Sequence, residues 1–265
     1  MRTVQTAAGT VAWREVGEGP PLVLLHANLH DHRDFDPVLG ALAREHRVLA
    51  VDWPGHGASG TDTTVGADRL ARALGEFVDQ LGLGPAVFIG NSVGGYAAAR
   101  LAVERPEHVA ALVLVNSGGF ARRSALTRAY YRMCASSPAA GRLLPYVVRA
   151  YLRPAGEHDR AVAERVLRTG ATAAGRATYR SMWRSFASPD FDLSGRADAI
   201  AAPTLVVWGR RDLVSPLHYG RVAHRLVPGA RLAVLDTGHL PFSSAPGAFL
   251  DVVGPFLREV RAGVR

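Results

Sequence analysis

The sequence predicts an α/β fold: a mostly parallel eight-stranded sheet flanked by helices and interrupted once by an inserted helical cap. Three observations predict it. Short runs rich in Val, Leu and Ile recur along the chain and are continuous rather than alternating in polarity, as strands covered on both faces are. Stretches with helical spacing of apolar residues separate them, the pattern of parallel strands joined by crossover helices. One interval, residues 118–200, carries helix-like segments and no convincing strand, which makes it too long and too helical for an ordinary connection.

The elements follow in chain order. "TVQTAAGTVAWREVG" holds two β-prone runs around Ala7-Ala8-Gly9 and predicts a hairpin. After Pro20-Pro21 come "LVLLH" (22–26), "RVLAVDW" (47–53), "AVFIGN" (86–91), "AALVLVNS" (110–117), "TLVVWG" (204–209) and "RLAVLD" (231–236), six further strands. Between the second and third of these, Asp68 to Leu81 places Leu70, Leu74, Phe77, Val78 and Leu81 on one helix face. Within 118–200, "SALTRAYYRMCASS", "GRLLPYVVRAYLRP", "AVAERVLRTGATAAG" and "ATYRSMWRSF" read as helices punctuated by Pro and Gly. The division expected is a core of 1–117 with 201–265 and a cap of 118–200.

Composition narrows the function classes. The chain has 265 residues, 48% of them hydrophobic, enough for one sizeable core. Cys134 is the single cysteine, which excludes an intrachain disulfide and cysteine-based zinc sites. The first twenty residues lack an apolar signal core and no run reaches spanning length, so the expectation is a soluble, cytoplasmic protein without membrane insertion. The formal charge of +8 comes from scattered arginines; lysine is absent. With no basic block interleaved with aromatics, no nucleic-acid partner is expected.

The densest chemical signal is "FIGNSVGGY". Gly90-Asn91-Ser92-Val93-Gly94 is G-x-S-x-G, set between a strand and the small-residue helix "GGYAAARLAVER". Small residues two before and two after the serine permit a tight strand-to-helix turn that projects Ser92 from the sheet edge. Helix N-terminal amides then face any negative charge forming there. A serine hydroxyl needs a base, and the base an orienting group. Asp212 lies just past the strand in "TLVVWGRRD", and His239 just past the next in "RLAVLDTGHLP". Asp236 competes for the acid role because it lies near His239.

The chain order Ser, Asp, His is that of the α/β-hydrolases, and the sequence resembles the capped branch of that superfamily, which contains esterases and C–C bond hydrolases. "LLHAN" is similar to its oxyanion loop, "DWPGHGASG" to a strand-end turn, "GNSVGG" to its nucleophile elbow, "PTLVVWGRRD" to its acid strand, and "DTGHLPFSSAPGAFLDVVGPFL" to its histidine loop and last helix. The resemblance implies that Ser92 is the nucleophile, His239 the general base and acid, and Asp212 the orienting carboxylate. It further implies an oxyanion hole from the backbone amides of Val93 and Asn28, although Ala27 stands where a glycine usually follows the loop histidine.

The polar stretch "HANLHDHRDFD" (26–36) admits a metal reading through His30, Asp31, His32 and Asp34, but no matched ligand cluster accompanies it elsewhere. In the hydrolase reading it leaves a strand, enters the oxyanion loop and starts a helix, with Asp31 or Asp34 as N-cap and Phe35 packing inward. His56 in "PGHG" reads as a structural turn residue.

Serine at the elbow points to acyl transfer on an ester, lactone, thioester or related carbonyl substrate, with no cofactor. Tyr130, Tyr131, Trp183 and Phe186 of the cap are the candidate substrate-binding residues, fitting a hydrophobic small molecule. Two other readings use the same residues: a small-molecule sensor with a retained triad, and a lyase or cyclising enzyme in which His239 moves a proton.

Overall fold

The computed structural model describes residues 1–60, 62–121, 124–136, 142–153 and 156–263. Its strands are β1 (Arg2–Thr6), β2 (Gly9–Val16), β3 (Pro21–Leu25), β4 (Arg47–Asp52), β5 (Ala86–Asn91), β6 (Val109–Val115), β7 (Thr204–Gly209) and β8 (Arg231–Leu235). They form one sheet ordered β1-β2-β4-β3-β5-β6-β7-β8. The β1-β2 and β2-β4 pairs are antiparallel and the remaining pairs parallel. The hairpin closes at Thr6 opposite Gly9, whose φ of +118° suits glycine.

Continuous apolar strands reflect a sheet covered twice. Along β3, Val23 and Leu25 join one buried cluster while Leu22 and Leu24 join the other; β4 divides the same way, with Leu49 and Val51 opposite Val48 and Ala50. Helices α2 (Ala67–Gln80), α3 (Val93–Glu104) and α8 (Leu217–Leu226) cover the first face. Helix α1 (Asp36–Leu42), the short α9 (Pro241–Ser244) and α10 (Pro246–Arg261) cover the second. The predicted helix face is present in α2, where Leu70, Leu74, Phe77 and Val78 are fully buried.

Between β6 and β7 stand α4 (Ala125–Cys134), α5 (Leu144–Leu152), α6 (Glu157–Ala171) and α7 (Ala173–Ser185). The third predicted segment is split at Thr172, whose hydroxyl accepts from the Gly175 amide and caps α7. This segment is fastened to the sheet's helices by side chains. Ser243 of α9 donates to Asp159 of α6, Ser185 accepts from the Ala67 amide at 2.9 Å, and Thr178 donates to the Asp62 carbonyl at 3.0 Å. No helix among the described residues is long and apolar enough to cross a membrane.

Candidate active site

The C-terminal ends of the parallel strands gather the chemistry. Ser92 follows β5 with φ +55° and ψ −115°, a conformation that costs a non-glycine residue energy and persists only when the surroundings impose it. Here they do. The Ser92 amide donates to Val115 O at 3.1 Å, and its carbonyl accepts from the Tyr96 and Gly118 amides at 3.0 and 2.9 Å. A Cβ on Gly94 would stand 2.4 Å from Leu25 O, and one on Gly90 2.5 Å from Gly94 O, so the elbow's backbone approaches admit no side chain at either position.

Asp212 and His239 follow β7 and β8. His239 Nδ1 lies 2.6 Å from Asp212 Oδ2, and both residues are buried. The other carboxylate oxygen accepts from the Val214 and Ser215 amides at 2.8 and 3.0 Å. Such a carboxylate can only accept, so the imidazole carries its proton on Nδ1 and leaves Nε2 as the basic nitrogen. Ser92 and His239 line one cavity. The competing acid, Asp236, is exposed and held by Arg211 and Arg210, which keep its carboxyl well below the usual range.

Two asparagines that the sequence reading did not single out brace this arrangement. Asn116, just past β6 with φ +44°, donates to Asp212 Oδ2 and accepts from the Gly209 amide at 3.0 Å. Asn91 donates to Val115 O at 3.1 Å and to His239 O at 3.0 Å. A strand-end Asn in "LVNSGG" was the available signal for the first; nothing local marks the second.

The loop after β3 brings Asn28 to the cavity wall, and Val93, directly after Ser92, is the first residue of α3. The positive φ of this loop falls on Leu29, at +67°, and the His30 amide closes the turn on Ala27 O at 3.3 Å. Ala27 is thereby accommodated without a left-handed backbone of its own. Behind the loop, His26 donates from Nδ1 to Ala27 O and accepts at Nε2 from the Trp53 amide. His56 donates to Pro54 O at 3.0 Å, and its Nε2 stands 3.3 Å from the Asn28 carboxamide. Burial pushes the His56 pKa down to about 3 and lowers that of His26, so both rings are neutral loop supports.

The three histidines of the polar stretch face two carboxylates, and His26 Nε2 lies 3.9 Å from Asp52 Oδ1. His32 Nδ1 meets Asp52 Oδ2 at 2.9 Å, and His30 meets Asp34. Asp31 caps the short turn of helix at His32–Phe35 by accepting from the Arg33 amide, while Phe35 stacks on Phe242 at 4.2 Å. Asp34 does not cap; its second oxygen accepts from Arg165 of α6 at 3.0 Å.

The cavity holds about 520 Å³ of empty space counted out to its mouth. Trp183 and Phe186 of the predicted substrate contacts line it, and Tyr131 lines an adjoining space of about 410 Å³ that also reaches Ser92. Tyr130 departs from the expectation: it lines neither and is 36% exposed, touching Trp183 edge-on at 5.8 Å from the outer side of α4. Tyr151 and Tyr179, absent from that expected set, are in the wall instead.

Known proteins share this framework. Haloalkane dehalogenase 2 of Mycobacterium tuberculosis is 30% identical over 225 residues, covering 80% of this chain and 78% of that protein. A hydrolase of Pseudomonas aeruginosa PA01 has a solved structure similar at TM-score 0.82, with 28% identity and 97% of each chain covered. An esterase of Rhodococcus sp. ECU1013 is similar at TM-score 0.78, with 25% identity over 97% of this chain and 98% of its own. The family model of the alpha/beta hydrolase fold matches residues 20–246, which hold β3 to β8 and everything between them, and the chain belongs to that family.

Proposed function

We propose that the protein is a serine hydrolase that cleaves a carboxylic ester or a chemically related lactone or thioester through an acyl-enzyme on Ser92. The observation that carries this reading is the buried Asp212–His239 pair at 2.6 Å, facing the cavity that Ser92 enters from a strained elbow. Ser92 Oγ attacks the carbonyl carbon while His239 Nε2 takes its proton, and Asp212 stabilises the imidazolium without being protonated itself. The Asn28 and Val93 amides donate to the oxyanion, each worth roughly 100-fold to 1,000-fold in rate. Collapse expels the alcohol with the proton from His239, and water repeats the sequence to release the acid. This chemistry calls for no cofactor.

The similarity to a dehalogenase does not extend to its reaction under this proposal. A carboxylate nucleophile displaces halide at carbon and leaves an ester to hydrolyse; a neutral serine activated by histidine is suited to attack on a carbonyl. We assign the helices of 118–200 as a cap over the strand ends, where ligands bind in such sheets. The apolar wall from Leu144, Val147, Val166, Trp183 and Phe186 favours a hydrophobic acyl or alcohol portion. Intact-protein mass measurement after exposure to a fluorophosphonate tests the reading: one adduct on wild type and none on Ser92→Ala is expected. Absence of an adduct on folded wild type overturns it.

A further inference from the structure

The catalytic cavity has a second polar centre that the Ser92 chemistry does not use. His30 and Tyr151 both line it. His30 Nδ1 is bonded to Asp34, and His30 Nε2 stands 2.8 Å from the Tyr151 hydroxyl. Asp34 and Asp31 are in turn paired with Arg165 at 3.0 and 3.5 Å. All of His30, Asp34 and Tyr151 are at least nine-tenths buried, in a wall otherwise made mainly of Leu, Val, Trp and Phe. Burying such a chain costs free energy that an apolar substitute would avoid.

The proton positions follow from the partners. Asp34 accepts from Arg165 through one oxygen and from His30 Nδ1 through the other, and in the neutral imidazole that leaves Nε2 as the acceptor. Burial pushes the Tyr151 phenol well above its usual pKa, so it keeps its proton and donates it to His30. That leaves the Tyr151 oxygen with a lone pair that takes no donor among the described residues, polarised toward phenolate by the carboxylate-backed imidazole. Its place relative to the reaction is fixed as well. The Tyr151 ring stands edge-on to His239 at 5.5 Å, and its carbonyl accepts from the His239 amide at 3.0 Å.

Resting on the serine hydrolase reading, we propose that Tyr151 is a specificity residue that accepts a hydrogen bond from a hydroxyl on the substrate's acyl portion, so that the preferred substrates are hydroxyacyl esters. His30 and Asp34 are positioning residues that hold its proton away from the ligand. A donor-bearing substrate satisfies the buried oxygen; an unsubstituted acyl chain leaves it unpaired, and sites built to bond a substrate hydroxyl discriminate strongly against analogues lacking it.

The test compares p-nitrophenyl butyrate with the p-nitrophenyl esters of 2- and 3-hydroxybutyrate, each kcat/KM divided by the ester's own alkaline hydrolysis rate. Wild type should favour one hydroxy ester over butyrate by about tenfold, the scale of one net hydrogen bond. In Tyr151→Phe and, separately, in His30→Asn that ratio should fall toward one, whatever the absolute rates become. Equal rates on all three esters with wild type overturn the proposal while leaving the hydrolase reading intact. An equal loss on all three in Tyr151→Phe, with the ratio kept, also overturns it and makes the chain a strut between α5, α6 and the His239 loop. Hydrolysis of none, with no fluorophosphonate adduct, removes the hydrolase reading and this proposal together.

Discussion

His239 Nδ1 stands 2.6 Å from Asp212 Oδ2, while Asp236, three residues before the histidine in sequence, turns away to Arg210 and Arg211 on the surface. The carboxylate bonded to the imidazole is the one 27 residues away, because β7 and β8 are adjacent parallel strands and end side by side. Asp212→Asn should preserve the fold and lower kcat by about 10⁴-fold, since an amide donor selects the wrong imidazole tautomer. Asp236→Asn should leave kcat unchanged. Steady-state rates on a chromogenic ester for the two variants decide between them; the opposite pattern would move the acid role to Asp236.

The strain at Ser92 separates stability from activity. With φ +55° and ψ −115°, glycine is relaxed where serine or alanine is not. Ser92→Gly should therefore raise stability by about 1 kcal/mol, seen as a higher Tm, while Ser92→Ala gives no such gain. Both should lack turnover. A Ser92→Gly protein no more stable than Ser92→Ala would show that the elbow is unstrained.

The elbow's glycines fail in the other direction. Gly94→Ala sets a Cβ 2.4 Å from the Leu25 carbonyl, a backbone atom of the neighbouring strand that cannot rotate away. The expected cost is about 1–3 kcal/mol, read as a lowered denaturation midpoint with unchanged m.

Ser92, Asp212 and His239 are legible in sequence because each follows a recognisable strand, and strand ends on one edge of a parallel sheet converge whatever lies between them. The faces of the two sheet layers are legible for the same reason, through continuous apolar runs. Tyr130 against Tyr131 is not: adjacent residues on a helix point about 100° apart, and which faces the cavity depends on how α4 seats on α7. Asn116 is hidden because its function lies in two hydrogen bonds to residues almost a hundred positions away. His30 and Asp34 are visible as titratable residues, but their partner Tyr151 belongs to another element, and only the tertiary contact with α5 gives the pair its meaning.

Acid should destabilise the fold from neutrality downward. In the unfolded chain a histidine titrates near 6.5; folded His56 titrates near 3 because burial disfavours its charged form, and His26 is shifted the same way. Depressed histidine values leave the native state fully stable above about 6.5. As pH falls from there toward the folded pKa, the unfolded state binds more protons and each such residue removes about 1.4 kcal/mol per pH unit. Denaturation midpoints between pH 7.5 and 4.5 should slope down, and His56→Gln should flatten the slope. An unchanged slope in the variant would place a charged His56 in the native state.

Asn116 supports the acid from behind, and its substitution tests whether that support reaches the chemistry. It donates to the same Asp212 oxygen that holds His239 and accepts from the Gly209 amide, fixing the end of β7 to the end of β6. Asn116→Asp keeps the shape and the acceptor for Gly209 but removes the donor and sets a second carboxylate beside the first. Two carboxylates so close cannot both ionise easily, so one pKa rises and Asp212 stabilises the imidazolium less well. Losing a hydrogen bond to a charged group, about 1.5–3 kcal/mol, corresponds to roughly a 10-fold to 100-fold lower kcat. A less stabilised imidazolium takes up its proton at lower pH, so the acid limb of the kcat profile should also shift to lower pH. A stability loss without that shift would confine Asn116 to the fold and leave the acid pair independent of it.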